Sequence, residues 1–238
     1  NEHAILLSTG DLTHGSAEAM FTVGDAMMVP MNAFGIDVYT PGNWDFGYGA
    51  AVFRNRFTAI GPGKPKPTVP PNIRVMARYV GCGDVPEIPG LTDAASGYTC
   101  SEIDTGTLPF PTPAGDSVIR ATFPAVAVNL YNSAPLPAGL HGSRVLDPYK
   151  IVDHDGIKVA VIGLTASIVP QQADTFNITF RFTQGIEELP GILDMVKNDP
   201  ACGGDCLIVV QSELGLSQNL TIAQSVSDVD GLSAAHTL

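Results

Sequence analysis

Ile36-Asp37-Val38-Tyr39-Thr40-Pro41-Gly42-Asn43-Trp44-Asp45-Phe46-Gly47-Tyr48-Gly49 is the stretch whose reading decides the fold. Ile36 to Tyr39 mixes β-branched and aromatic residues in a run too short for a helix, so it reads as a buried strand. Thr40-Pro41-Gly42-Asn43 closes it, because proline and glycine fix and free the backbone at a turn. A helix follows from about Tyr48 to Phe57. Strand, polar loop and helix in succession form the repeating unit of a layered α/β domain.

The same unit recurs on both sides. Upstream, the apolar run Ala4 to Leu7 stops at Ser8-Thr9-Gly10-Asp11, again a strand and a turn. Residues Ser16 to Phe34 carry Ala, Met, Phe and Val at helical spacing, with Pro30 expected to kink or break the helix. Downstream, strands are expected over Ala125 to Leu130, and over Tyr149–Val152 and Lys158–Leu164 as a hairpin. The turn is Asp153-His154-Asp155-Gly156, in which Asp-Gly is a strong hairpin signal. Helices over Gly185 to Lys197 and Leu216 to Val226 flank a strand at Cys206 to Val210, and a last short strand precedes His236. Residues 61–118 differ: they are rich in Gly and Pro and poor in periodicity, with one edge strand expected at Ile73 to Val80. The expected architecture is α/β, a layered mixed β-sheet sandwich flanked by helices, with an irregular insertion at 61–118.

Composition narrows the function classes. The chain has 238 residues, 45% of them hydrophobic, enough for one sizeable core. A net charge of −12 repels phosphate backbones, so a nucleic-acid scaffold is excluded, while a small anionic substrate needs a metal to supply local positive charge. No run is long and apolar enough to span a bilayer, and no signal peptide is visible. The opening Asn1-Glu2-His3 reads as a processed or truncated start. Cys82 with Cys100, and Cys202 with Cys206, form two local pairs. Two short disulfides in an oxidising compartment fit that count; a four-cysteine zinc site is the rival, disfavoured because neither pair has the two-residue zinc spacing. The sequons at Asn177 and Asn219 permit N-glycosylation.

Four loops that follow predicted strands carry chemistry-bearing residues: Asp11 and His14; Asn43 and Trp44; Glu213; and His236. Ligands collect outside the carboxyl ends of strands in open α/β sheets, and Asp, Asn, Glu and His suit hard or borderline divalent cations. Taken singly, Asp11 reads equally as a turn and cap residue, Asn43 as a turn residue and His236 as a loop histidine.

The ordered set resembles the calcineurin-like metallophosphatase domain of the 5′-nucleotidase family. Ser8-Thr9-Gly10-Asp11 resembles its second metal motif, and Gly42-Asn43-Trp44-Asp45-Phe46 its Gly-Asn-His-Glu-Phe motif. Gly156 to Thr165 resembles its central hairpin strand. Leu207 to Leu216, with Ser212-Glu213, resembles the strand ending in Ser-His, and Asp228 to Thr237 the run into Gly-Gly-His-x-His. The resemblance implies a four-layer αββα fold in which Asp11 bridges two divalent ions (Mn, Zn or Fe), while Asn43 and His236 bind the second. It implies hydrolysis of a small phosphorylated substrate such as a nucleotide, in a secreted, extracellular or periplasmic protein.

The chain departs from that pattern in several places. The Asp-x-His motif that opens the family is absent, so the domain reads as incomplete at both ends, with a separate chain or domain supplying the flanks. Trp44 stands at the catalytic histidine; an indole donates a hydrogen bond, and so could stabilise an oxyanion, but cannot shuttle a proton. Gly47 stands at that histidine's acidic partner, and Glu213 at a metal-binding histidine, where a carboxylate can still ligate. Trp44 also resembles the thiosulfohydrolase branch, which implies manganese and a sulfur ester. His14, one turn from Asp11, reads either as a helix-start residue or as a group reaching a metal or substrate oxygen. Two functions follow: a metal-dependent hydrolase, with Trp44 and His14 as catalytic candidates, or a non-catalytic binding or structural module on the same fold.

Overall fold

The computed structural model describes residues 4–58 and 118–236. Most of the insertion at 61–118, including Cys82, Cys100 and the edge strand at 73–80, lies outside them. In chain order the elements are β1 (Leu7–Thr9), α1 (Ala17–Phe21), α2 (Asp25–Ala33), β2 (Val38–Thr40), α3 (Gly49–Phe57), β3 (Leu130–Asn132), β4 (Tyr149–His154), β5 (Ile157–Leu164), α4 (Val169–Gln172), α5 (Asp174–Asn177), β6 (Phe180–Phe182), α6 (Leu189–Lys197), β7 (Leu207–Ser212), α7 (Leu216–Ser225) and β8 (Gly231–Ala234). A 3-10 turn at Trp44–Phe46 lies between β2 and α3.

The strands form a mixed four-stranded sheet in the order β4-β5-β7-β8, and two small sheets, β1-β2 and β3-β6. β4 and β5 are antiparallel; β5, β7 and β8 run parallel, as do β1 and β2. The β4–β5 turn is tighter than expected, with only Asp155 and Gly156 between the strands, both at positive φ (54° and 84°) as a twist-matched hairpin turn requires.

Strand periodicity sorts the core into layers. Along β5, Val159 and Val161 pack with Val38 and Val126 between the β1-β2 sheet and the four-stranded sheet. The alternate residues Ala160, Ile162 and Leu164 face Leu189, Ile192 and Val196 of α6 and Ile222 of α7. On the far side of β2, Tyr39 packs with Met28 of α2 and Phe53 and Phe57 of α3. The order is therefore helix, sheet, sheet, helix. Gly163 permits the closest approach between the sheets: a Cβ there would lie 2.3 Å from the Val126 carbonyl oxygen.

Two expected elements change. The helix over 16–34 is two helices, broken at Val23 and Gly24 (φ 54° and 85°) rather than at Pro30, which lies within α2. A Cβ on Gly24 would meet Arg56 Nη1 and Thr13 Cβ at 2.8 Å, so burial of Arg56 fixes the break. The strand over 125–130 is split. Ala125 and Val126 make single bridges to Tyr39 and Asp147, and regular pairing begins at Leu130.

Candidate functional site

The four strands β1, β2, β7 and β8 end at one edge of the layers, and each delivers one expected residue: Asp11, Asn43, Glu213 and His236. The first two loops interlock. Asp11 has a left-handed backbone (φ 62°), unusual for a residue with a Cβ. Its Oδ1 accepts the Trp44 backbone N–H at 2.9 Å. A Cβ on Gly42 would fall 2.4 Å from that same Oδ1, so only glycine lets the two loops touch.

Asp45 holds the arrangement together. It is fully buried and accepts from the N–H groups of Asp11 and Gly42 (2.9 Å each), the Tyr39 hydroxyl and the Thr13 hydroxyl (3.2 Å). Burial raises its carboxyl above the ordinary range, and burial beside Asp45 raises the Tyr39 hydroxyl well above its own. Asp45 lies within the Gly42–Phe46 motif, where the sequence alone assigns it no role. The available signal was a carboxylate in an otherwise apolar Trp-x-Phe setting, which a folded chain leaves buried only when donors surround it.

Glu213 is 2% exposed, and its carboxylate lies over Gly10, where a Cβ would be 2.4 Å from Cδ and Oε1. Burial, then the charges of Asp11 and Asp45, push its carboxyl up to about 8. Its Oε2 is buried without a hydrogen-bond partner and lies 3.7 Å from His236 Nδ1. Asn43 is 4% exposed at the start of the 3-10 turn. The pattern is an electrostatic deficit: carboxylates forced together at strand ends with an imidazole and too few donors. Among the described residues, no three His, Cys, Asp or Glu side chains are spaced to enclose one ion. The donor types, Asp, Glu and His with an orphaned carboxylate oxygen, suit a divalent cation in kind, while their spacing in the structure does not enclose one.

His14 is exposed and stacks on Trp44, with ring centroids 4.6 Å apart and planes at 22°. A Cβ on Gly47 would lie 3.7 Å from His14 Cδ2. Positions 44 and 47, the two departures from the motif, thus both face His14.

No protein-family model and no curated protein matches the chain. Solved structures do. The 5′-nucleotidase precursor of Thermus thermophilus superposes with a TM-score of 0.59 at 20% identity, over 98% of this chain and 32% of that one. The NAD nucleotidase of Haemophilus influenzae gives 0.57 at 18%, over 98% and 32%. The Thermus thermophilus sulfate thiohydrolase gives 0.56 at 13%, over 97% and 30%. The chain has the metallophosphatase-like fold of the 5′-nucleotidases. The chain spans about a third of the length of those structures.

Other features lie apart from the site. Cys202 and Cys206 form a disulfide. Asn177 is partly buried at the end of α5. Asn219 is 6% exposed within α7, its Nδ2 donating to the Leu214 carbonyl at 2.8 Å, so the folded chain sequesters that sequon. Among the described residues no helix is long and apolar enough to cross a membrane. A cavity of about 810 Å³ is lined by Arg54, Arg120 and Arg144, and by none of Asp11, Asn43, Glu213 or His236.

Proposed function

We propose that this chain carries the metal-dependent phosphoester-hydrolase centre of a 5′-nucleotidase-like protein. The carrying observation is the buried, unpartnered Oε2 of Glu213 at the convergence of Asp11, Asp45 and His236. Carboxylates do not gather in a buried site without compensation, and a bound cation is the usual one. Asp11, Asn43, Glu213 and His236 would hold the ion by drawing in around it, since in the structure their side chains are not spaced to enclose one. A divalent ion held there would supply Lewis-acid polarisation of a phosphoryl oxygen and would offset the negative charge that otherwise repels an anionic ester. The chain's own residues do the rest: Asp45 fixes the backbone of Asp11, and the Trp44 N–H orients its carboxylate. The 5′-nucleotidase-type fold supports a small phosphorylated substrate, a nucleotide among them, and the Cys202–Cys206 disulfide supports an extracellular or periplasmic setting.

The test is calorimetric Mn²⁺ binding together with turnover of 4-nitrophenyl phosphate. Micromolar binding and metal-dependent turnover, both lost in Asp11→Ala, are expected. A protein that binds no Mn²⁺, Zn²⁺ or Fe²⁺ and releases no nitrophenol overturns the proposal and leaves a binding or structural module on the same fold.

A further inference from the structure

We infer that His14 is the proton donor to the leaving group in this site; the inference rests on the hydrolase reading. Expelling an alkoxide from phosphorus is slow unless the departing oxygen receives a proton, and a positioned imidazole is the usual source near neutral pH. Four imidazoles lie among the described residues. His141 Nε2 is 2.7 Å from the Leu136 carbonyl, far along the chain from the site loops. His154 ends β4 and faces Asp37 at 3.9 Å. His236 is turned toward Glu213, on the side where the cation would lie. His14 alone is exposed on the loop that carries Asp11.

Its ring is held. One face stacks on Trp44, and Tyr48 tilts against it at 5.8 Å between centroids. Trp44 is positioned in turn: its backbone N–H donates to Asp11 Oδ1 and its ring meets Phe176 edge-on at 6.4 Å. Tyr48 is fixed through its hydroxyl, which donates to the Ala19 carbonyl at 3.0 Å. Gly47 lies beside the ring, where a Cβ would come to van der Waals distance of His14 Cδ2 at 3.7 Å. Of the titratable groups on the elements packed against it, the Tyr48 phenol, at the N-cap of α3, touches the His14 ring; Asp11 lies on its own loop, Asp45 is buried within the 3-10 turn, and Asp174 is on the helix that carries Phe176.

In the step, water oxygen bonds to phosphorus, the P–O bond to the alcohol breaks, and its electron pair leaves with the alcohol oxygen. The imidazolium of His14 gives its N–H proton to that oxygen and is reprotonated from solvent. The attacking water's proton goes to solvent, so no other reactant is needed.

The test compares His14→Gln with the wild type, both Mn²⁺-loaded, on phosphate monoesters whose leaving alcohols range from 4-nitrophenol to simple alkanols. The variant should lose on the order of 10²-fold in kcat on alkyl esters and little on 4-nitrophenyl phosphate, steepening the dependence on leaving-group acidity. An equal loss across the series overturns the inference and leaves the hydrolase reading standing. No wild-type turnover of any ester overturns both. A second readout needs no activity. Trp44 is the only tryptophan, and an imidazole stacked on an indole quenches its emission. Wild-type emission should be weaker than that of His14→Gln in the same buffer. Identical emission from both proteins would show that the stack is not formed, and would also overturn the assignment.

Discussion

Removing the charge of Glu213 should change how the metal-free protein responds to pH. Burial and the charges of Asp11 and Asp45 push this carboxyl from an ordinary 4.5 up to about 8. Between those values the unfolded chain has released the proton while the folded chain keeps it. The folded state then binds more protons, and stability falls as pH rises. The slope reaches at most about 1.4 kcal/mol per pH unit, so the loss across the window approaches about 5 kcal/mol as a ceiling. That is comparable with the whole stability of a modest domain. Glu213→Gln keeps the shape and removes the ionisation. In EDTA, urea unfolding followed at intervals from pH 5 to 9 should show wild type and variant close together at the acid end. The variant should be more stable by several kcal/mol at the alkaline end, the bulk of that ceiling. Saturating Mn²⁺ should flatten the wild-type curve, because a bound cation favours the ionised carboxylate. Parallel curves in EDTA would refute the placement of Glu213 as a buried carboxyl crowded by other carboxylates.

Asp45→Asn should cost roughly 2–4 kcal/mol, because its neutral oxygen accepts less strongly from the three donors that converge on Oδ2 and its amide nitrogen cannot accept the Thr13 hydroxyl. It should also weaken Mn²⁺ binding through Asp11; chemical unfolding and calorimetry on the same sample check both effects. Gly163→Ala should cost about 1–3 kcal/mol or more, since its Cβ would press on the Val126 carbonyl and part the sheets; thermal unfolding reads it. Gly10→Ala should remove metal binding while leaving far-UV circular dichroism intact, because its Cβ would occupy the place of the Glu213 carboxylate; Mn²⁺ calorimetry decides it.

Much of this protein is set by local sequence. The alternation in Ile157 to Leu164 assigns valines to the inter-sheet core and Ala160, Ile162 and Leu164 to the helix side, because side chains on a strand alternate faces whatever surrounds them. Asp155-Gly156 makes the hairpin turn because its backbone demands positive φ at both residues. The position of Asp11, Asn43, Glu213 and His236 at strand ends follows from strand–loop–helix punctuation. Distances in space are beyond such rules. The break at Gly24 is imposed by Arg56, 32 residues further along the chain, where Pro30 was the local signal. Asp45 becomes the anchor of the site only when donors from β2, the Thr13 loop and Asp11 meet around it. Glu213 acquires its raised pKa only when folding brings Asp11 and Asp45 beside it. His14 finds Trp44 across 30 residues of chain. Backbone periodicity and turn chemistry act between near neighbours, so the sequence determines elements and which residues end them. Burial and Coulomb energy depend on everything close in space, so tertiary structure alone decides which of those residues act together.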